Sequence, residues 1–203
     1  YLGLYSNLLT SLDVSKNTAL TSLGLTHNKL TNLDVSQNTA LDAVGIGYNE
    51  LTTLDVSKNL ALTLLSCNYN QLTSLDVSQN TALTYLSCNY NKMTQLDISQ
   101  NTALTSLSCY HNQLISLDLS KNIALTHLYC YYNQLTSLDL SQNTAITQID
   151  CKTNKLDILN VKNGNNAIIT YFNSMFNGNL CIEVDDAIAA NAYEVPYNNG
   201  GWY

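Results

Sequence analysis

Apolar residues recur along this chain in two short, similar phrases that together fill a 21-residue period. One copy reads L-T-Y-L-S-C-N-Y-N-K-M-T-Q-L-D-I-S-Q-N-T-A, from Leu83 to Ala103. The first phrase centres on L-x-C and the second on L-D-I, and in both the apolar and polar positions alternate with period two. That alternation predicts a short strand with one buried face in each arm of the repeat. An asparagine follows each phrase where the chain must reverse, and its short amide can bond the backbone groups a bend leaves unpaired. No window carries the 3.6-residue spacing of an amphipathic helix, so both arms are predicted to be extended. A fixed period of this length is the mark of a solenoid, whose units bury their apolar side only by stacking on one another.

Several columns hold without a slip. Asp13, Asp34, Asp55, Asp76, Asp97, Asp118 and Asp139 occupy one, and Asn28, Asn49, Asn70, Asn91, Asn112, Asn133 and Asn154 another. Cys67, Cys88, Cys109, Cys130 and Cys151 share theirs with Leu4, Leu25 and Ile46. A thiol that interchanges with leucine and isoleucine acts as a small buried hydrophobe. Side chains stacked on parallel strands ~4.8 Å apart point the same way, which suits a disulfide badly. No histidine shares the column, so no metal and no other cofactor is expected.

The phrase L-x-x-L-x-C-x-x-N-x-L resembles the leucine-rich repeat. Its nested second half, L-D-V-S-x-N-T-A-L, is similar to the short bacterial subclass called IRREKO repeats, common in secreted and surface proteins of Bacteroidetes. The likeness covers Tyr1 to about Asn163 and weakens through Ile169 to Asn177, a degenerate last cysteine arm with serine in the cysteine column. The expected fold is mainly β. It is a right-handed leucine-rich-repeat solenoid with parallel strands on the cysteine-arm face, an extended or short-strand convex arm, little helix and a C-terminal cap. Residues 1–164 form the array of about eight repeats, and 165–203 the degenerate repeat and cap. In that cap Leu180, Ile182 and Val184 alternate as a closing strand, Asp185 would N-cap a helix from Asp186 to Ala192, and Tyr197, Trp202 and Tyr203 would cover apolar surface. The chain opens inside a repeat, Tyr1-Leu2-Gly3-Leu4, so the N-terminal cap is expected to be missing from what reads as a piece of a longer protein.

Against the constant columns, the outward positions of the cysteine arm change. Small residues such as Gly24, Gly45, Ala43 and Ser66 give way to Tyr85, Tyr90, Tyr110, His111, His127, Tyr129, Tyr131 and Tyr132. Tyrosine on a rigid sheet offers large contact area with a polar tip at low entropic cost, which makes this group the candidate ligand-binding site. The regular column Tyr48-Tyr69-Tyr90 also has a purely structural reading, rings packing on rings along the ladder. The aspartates have two readings as well: bonds from serine hydroxyls and backbone N–H groups within each D-x-S-x-N turn, or Ca²⁺ bridging successive carboxylates.

Composition excludes other roles. The net charge is −7 and the basic residues are eight lysines with no arginine, a poor basis for nucleic-acid binding. No apolar run approaches the ~18 residues of a membrane span. Histidines fall in different columns, the thiols face inward, and no catalytic motif occurs, so an enzyme is not expected. The reading is a non-catalytic recognition or adhesion module, secreted or displayed on a bacterial cell surface and monomeric in isolation, binding a protein or glycan. Two other readings stand beside it: a passive spacer in a larger surface protein, and an ice-binding solenoid suggested by columns such as Thr10, Thr31, Thr52, Thr73, Thr94 and Thr136, which Ile115 interrupts.

Overall fold

The computed structural model describes residues 1–185. The chain winds as a solenoid whose successive coils donate one short strand each to a nine-stranded parallel sheet. Its members are β1 (Leu2–Gly3), β2 (Ser22–Gly24), β3 (Ala43–Gly45), β4 (Leu64–Ser66), β5 (Tyr85–Ser87), β6 (Ser106–Ser108), β7 (His127–Tyr129), β9 (Gln148–Asp150) and β11 (Tyr171–Asn173). Register follows the sequence column by column: Leu86 lies beside Leu65 and Leu107, and Ser87 beside Ser66 and Ser108. The opposite arm forms a ladder only in the last coils, where β8 (Ser137–Asp139), β10 (Ile158–Asn160) and β12 (Cys181–Glu183) pair in parallel. In earlier coils that arm runs without strand pairing.

The core is a stack of near-identical layers. One coil inserts Leu83, Leu86, Cys88, Met93, Leu96 and Ile98, each 0–7% exposed. Burying a leucine-sized side chain is worth about 1.5–3 kcal/mol, and each layer is closed only by the coils above and below it. The cysteines replace leucine in this packing, and Cys67, Cys88, Cys109, Cys130 and Cys151 are all buried free thiols. Ser174 continues their column and is buried as well.

Two asparagine ladders hold the bends. Asn91 accepts from the Leu72 N–H (3.0 Å) and donates to the carbonyls of Cys67 (3.2 Å) and Cys88 (3.0 Å), so one amide ties its own coil to the preceding one. The same pattern recurs at Asn49, Asn70, Asn112 and Asn133. In the second ladder Asn80 Nδ2 donates to Val56 O (3.0 Å) and Asn59 O (2.9 Å).

The step between paired strands is 21 residues until β9 and then lengthens to 23, from Gln148 to Tyr171. A short 3₁₀ turn, Asn166–Ile168, takes up the extra length. Asp185 clamps it, accepting from the N–H groups of Gly164 (2.7 Å) and Asn166 (3.0 Å), while its own N–H donates to Asn166 Oδ1 (2.9 Å). The carboxylate read from sequence as a helix N-cap is thus occupied by this turn; the helix from Asp186 and the cover by Tyr197, Trp202 and Tyr203 lie outside the described residues. The closing strand is present as β12, with Ile182 buried and Leu180 and Val184 packed on the core.

Candidate functional site: an aromatic edge on the strand sheet

Two positions beyond each inward cysteine or its leucine equivalent, the chain bends through the left-handed region. His27, Tyr48, Tyr69, Tyr90, His111, Tyr132 and Thr153 have φ between 51° and 60°. Non-glycine residues rarely adopt this conformation, and here hydrogen bonds on both sides impose it. The Tyr90 N–H donates to Tyr110 O (3.0 Å), the Asn91 N–H to His111 O (3.2 Å), and the Asn91 side chain closes the bend onto Cys88. Every coil therefore delivers its side chain to the same place at the sheet edge.

The result is a continuous stack of six rings, His27, Tyr48, Tyr69, Tyr90, His111 and Tyr132, with centroids 4.0–4.2 Å apart and planes within 11–18°. A second pair, Tyr110 on Tyr131, stacks at 4.1 Å. It meets the first column edge-on, Tyr90 to Tyr110 at 5.5 Å and 81°, and His111 to Tyr131 at 6.0 Å and 81°. Offset stacking and edge-to-face contact are the arrangements the ring quadrupole favours, worth about 0.5–1.5 kcal/mol per pair. Lys152 closes the C-terminal end, its Nζ 4.9 Å from the Tyr131 centroid and 3.7 Å from Asp150. The hydroxyls of Tyr90 and Tyr48 flank that of Tyr69 and raise its phenol pKa. Burial raises that of Tyr131, with Tyr110 adding to it. Burial, and then the Lys152 charge, lower the His111 pKa, so its imidazole is neutral at pH 7.

The structure brings together five of the eight candidate residues: Tyr90, Tyr110, His111, Tyr131 and Tyr132. Tyr85, His127 and Tyr129 lie instead on the strands themselves. Tyr85 projects from β5 and is 37% exposed. His127 on β7 shares a hydrogen bond with the Thr126 hydroxyl (2.7 Å), and the Tyr129 hydroxyl donates to Gln148. Beside them is a polar group that the sequence reading passed over: Asp150, 4% exposed, accepts from the Tyr171 hydroxyl (3.0 Å) and pairs with Lys152. Tyr48 and Tyr69, given with Tyr90 a structural reading as a regular column, belong to the same stack as Tyr90, and His27 joins it at the N-terminal end. At that end the half-exposed Tyr5 ring lies across Gly24, its hydroxyl 2.0 Å from where a β-carbon would stand, so a larger residue there would displace that ring.

One flank of the stack carries the Tyr110–Tyr131 pair. Along the other runs an open groove of about 670 Å³, walled by Tyr69, Tyr90, His111 and Tyr132 and floored by the turns at Asn70, Asn91, Asn112 and Asn133.

The aspartate column is accounted for locally. Each carboxylate from Asp13 to Asp139 accepts from the N–H of the serine two residues on, at 2.8–2.9 Å. This bond, and then the serine hydroxyl, lower the pKa of Asp13, Asp34, Asp55, Asp76, Asp97 and Asp118. Burial raises the cysteine thiols, Cys67 and Cys109 to about 12, which removes them as nucleophiles at neutral pH. Among the described residues no group of three or more His, Cys, Asp or Glu is placed to hold a metal ion.

This is a leucine-rich-repeat solenoid, and solved structures of bacterial leucine-rich-repeat proteins share its fold. The functional domain of InlJ from Listeria monocytogenes, which includes a cysteine ladder, is 36% identical with a TM-score of 0.66, over 89% of this chain and 49% of that one. A leucine-rich-repeat protein of Leptospira interrogans is 24% identical with a TM-score of 0.73, over 90% and 54%. Internalin C2 of L. monocytogenes is 20% identical with a TM-score of 0.72, over 90% and 79%. The last two share the fold alone. The chain spans about half the length of the InlJ domain and the Leptospira protein, 49% and 54%. No family model and no curated protein matches it.

Proposed function

We propose that this chain is a non-catalytic recognition module that binds a protein through the aromatic edge of its strand sheet, as part of a secreted or surface-displayed bacterial protein. The observation that carries the proposal is the two-column ring array. Eight rings are fixed by stacking, six of them also by backbone bonds in left-handed turns, so little side-chain entropy remains to be lost on binding. The core is filled by aliphatic side chains and cysteine and the bends are closed by asparagine, so neither accounts for the choice of these rings. Likeness to internalin-type leucine-rich-repeat domains supports the same class of function.

The stacking favours a protein over a glycan. A sugar binds tyrosine by lying on a ring face, yet each interior ring of the six carries another ring about 4 Å away on both faces. What the column offers is a row of ring edges and hydroxyls, suited to side chains and backbone carbonyls.

The test is affinity capture from host and bacterial extracts with the wild-type chain and with a Tyr110→Ser/Tyr131→Ser/Tyr132→Ser variant, captured proteins being identified by mass spectrometry and confirmed as purified ligands. Loss of a confirmed ligand in the triple variant, with the fold intact by circular dichroism, is the expected result. Equal binding by both chains would remove the aromatic edge as the site.

A further inference from the structure

We infer that the groove beside the ring stack takes an extended acidic segment of the partner protein, laid parallel to the solenoid axis with carboxylates at every fourth residue. The inference rests on the recognition reading above and adds to it the chemistry and conformation of the ligand.

Charge is the first argument. The protein carries a net −7, with its aspartate column on the opposite arm, yet no wall or floor residue of the groove is acidic. Gln113 joins its lining, and the same column, one residue after each turn asparagine, carries Gln71, Lys92, Gln134 and Lys155 in the neighbouring coils, with Glu50 one coil before Gln71. Lys92 Nζ donates to Gln71 Oε1 (3.2 Å) and Lys155 Nζ to Gln134 Oε1 (3.1 Å). Both ammonium groups are exposed and held by neutral amides, which orient them without cancelling their charge. Among the described residues the one ion pair is Lys152 with Asp150, so these two lysines have no carboxylate partner.

Spacing is the second. Lys92 and Lys155 are three coils apart, about 14 Å at ~4.8 Å per coil, which equals about four residues of an extended chain at ~3.4 Å each. Residues i and i+4 of a strand project from the same face, so two carboxylates at that interval reach both lysines at once. The wall adds a third term: stacked rings present their C–H edges sideways, the positive part of the quadrupole, which attracts carboxylate and carbonyl oxygens. The groove runs along the coils from Tyr69 to Thr153, a course that suits one extended strand of chain.

The experiment is isothermal titration calorimetry of the whole chain with a synthetic Ser/Thr peptide of roughly 16 residues, long enough to span the groove, carrying glutamate at every fourth position. Its isomer with lysine in place of glutamate is the control. We expect binding of the acidic peptide only. Its affinity should fall about tenfold as salt is raised, since exposed pairs are screened, and at least as much in a Lys92→Glu/Lys155→Glu variant. Equal binding of the two peptides, or of neither at millimolar concentration, overturns the inference. So does tight binding of a sulfated heparin hexasaccharide with none of the acidic peptide. If the double charge variant still captures a confirmed ligand that the triple tyrosine variant loses, the recognition function stands and the acidic segment falls.

Discussion

Tyr90 and His111, 21 residues apart in sequence, lie face to face with ring centroids 4.2 Å apart and planes within 11°. Both occupy left-handed backbone, at φ 52° and 51°. An L-residue in that region costs about 1–2 kcal/mol, and each ring contact returns about 0.5–1.5 kcal/mol. An interior ring with two stacked neighbours therefore roughly offsets its own backbone strain, whereas a residue at the end of the column does not.

That balance predicts opposite signs for one replacement at two sites of the same column. Thr153 is β-branched, has φ 52° and makes no ring contact. Asparagine tolerates left-handed backbone, so Thr153→Asn should stabilise the fold by about 0.5–1 kcal/mol. Tyr90→Asn gives the same relief but loses the contacts to Tyr69, Tyr110 and His111, for a net loss of about 1–2 kcal/mol. Urea melts of the two variants decide it; the same sign at both positions would show that stacking does not compensate the bend.

The Asn91 amide makes a sharper demand. Its Oδ1 is the acceptor for the Leu72 N–H, and Leu72 is fully buried. Asn91→Ala leaves that donor unpaired in the core, at a cost of about 1–3 kcal/mol. Asn91→Asp keeps the acceptor but gives up the donation to the Cys67 and Cys88 carbonyls and buries a charge, so it should not rescue. A calorimetric melt of both variants tests this, and recovery of wild-type stability by aspartate would contradict the assigned orientation of the amide.

Much of this was legible in the sequence, for a definite reason. A strict period turns each column into a repeated measurement of one environment, so inward leucines, buried thiols and turn asparagines could be read directly. The aromatic edge was harder. Tyr85 looks equivalent to Tyr90 as an outward tyrosine of the same repeat, and nothing in composition separates a residue on a strand from one at a left-handed bend. The distinction lies in φ, set by the asparagine that follows Tyr90 and closes onto Cys88. Asp150, Lys152 and Tyr171 were missed as a group because each departs from the other residues of its column only once, in the last coils.

Thiol reactivity should split cleanly. Five cysteines are buried and Cys181, on β12, is exposed. With burial raising all five buried thiols, Cys67 and Cys109 to about 12, Cys181 alone should react with a thiol reagent in the native protein. All six should react in denaturant. Cys109→Val should be tolerated to within about 1.5 kcal/mol, while Cys109→Ser buries an unpaired hydroxyl and should cost about 1–3 kcal/mol. Fast labelling of more than one thiol in the folded state would show that the ladder opens.

Acid should weaken the fold in two steps with separate causes. His111 lies between Tyr90 and Tyr132, with Tyr110 and Tyr131 edge-on and the Lys152 charge nearby. Its folded pKa is lowered, so the unfolded chain binds the proton first. The stabilisation is complete above the ordinary histidine value of about 6.5 and is lost as pH falls through the lowered one. The aspartates from Asp13 to Asp118 are lowered by their serine N–H bonds. Their contribution is complete above the ordinary carboxylate value of about 3.9 and disappears only as pH falls through the depressed values. Urea midpoints measured across this range should show a first decline below about 6.5 that His111→Asn reduces, asparagine being at home in the left-handed turn. The second decline, in the carboxylate range, should be unchanged in that variant. A first step that survives His111→Asn at full size would assign it to another group.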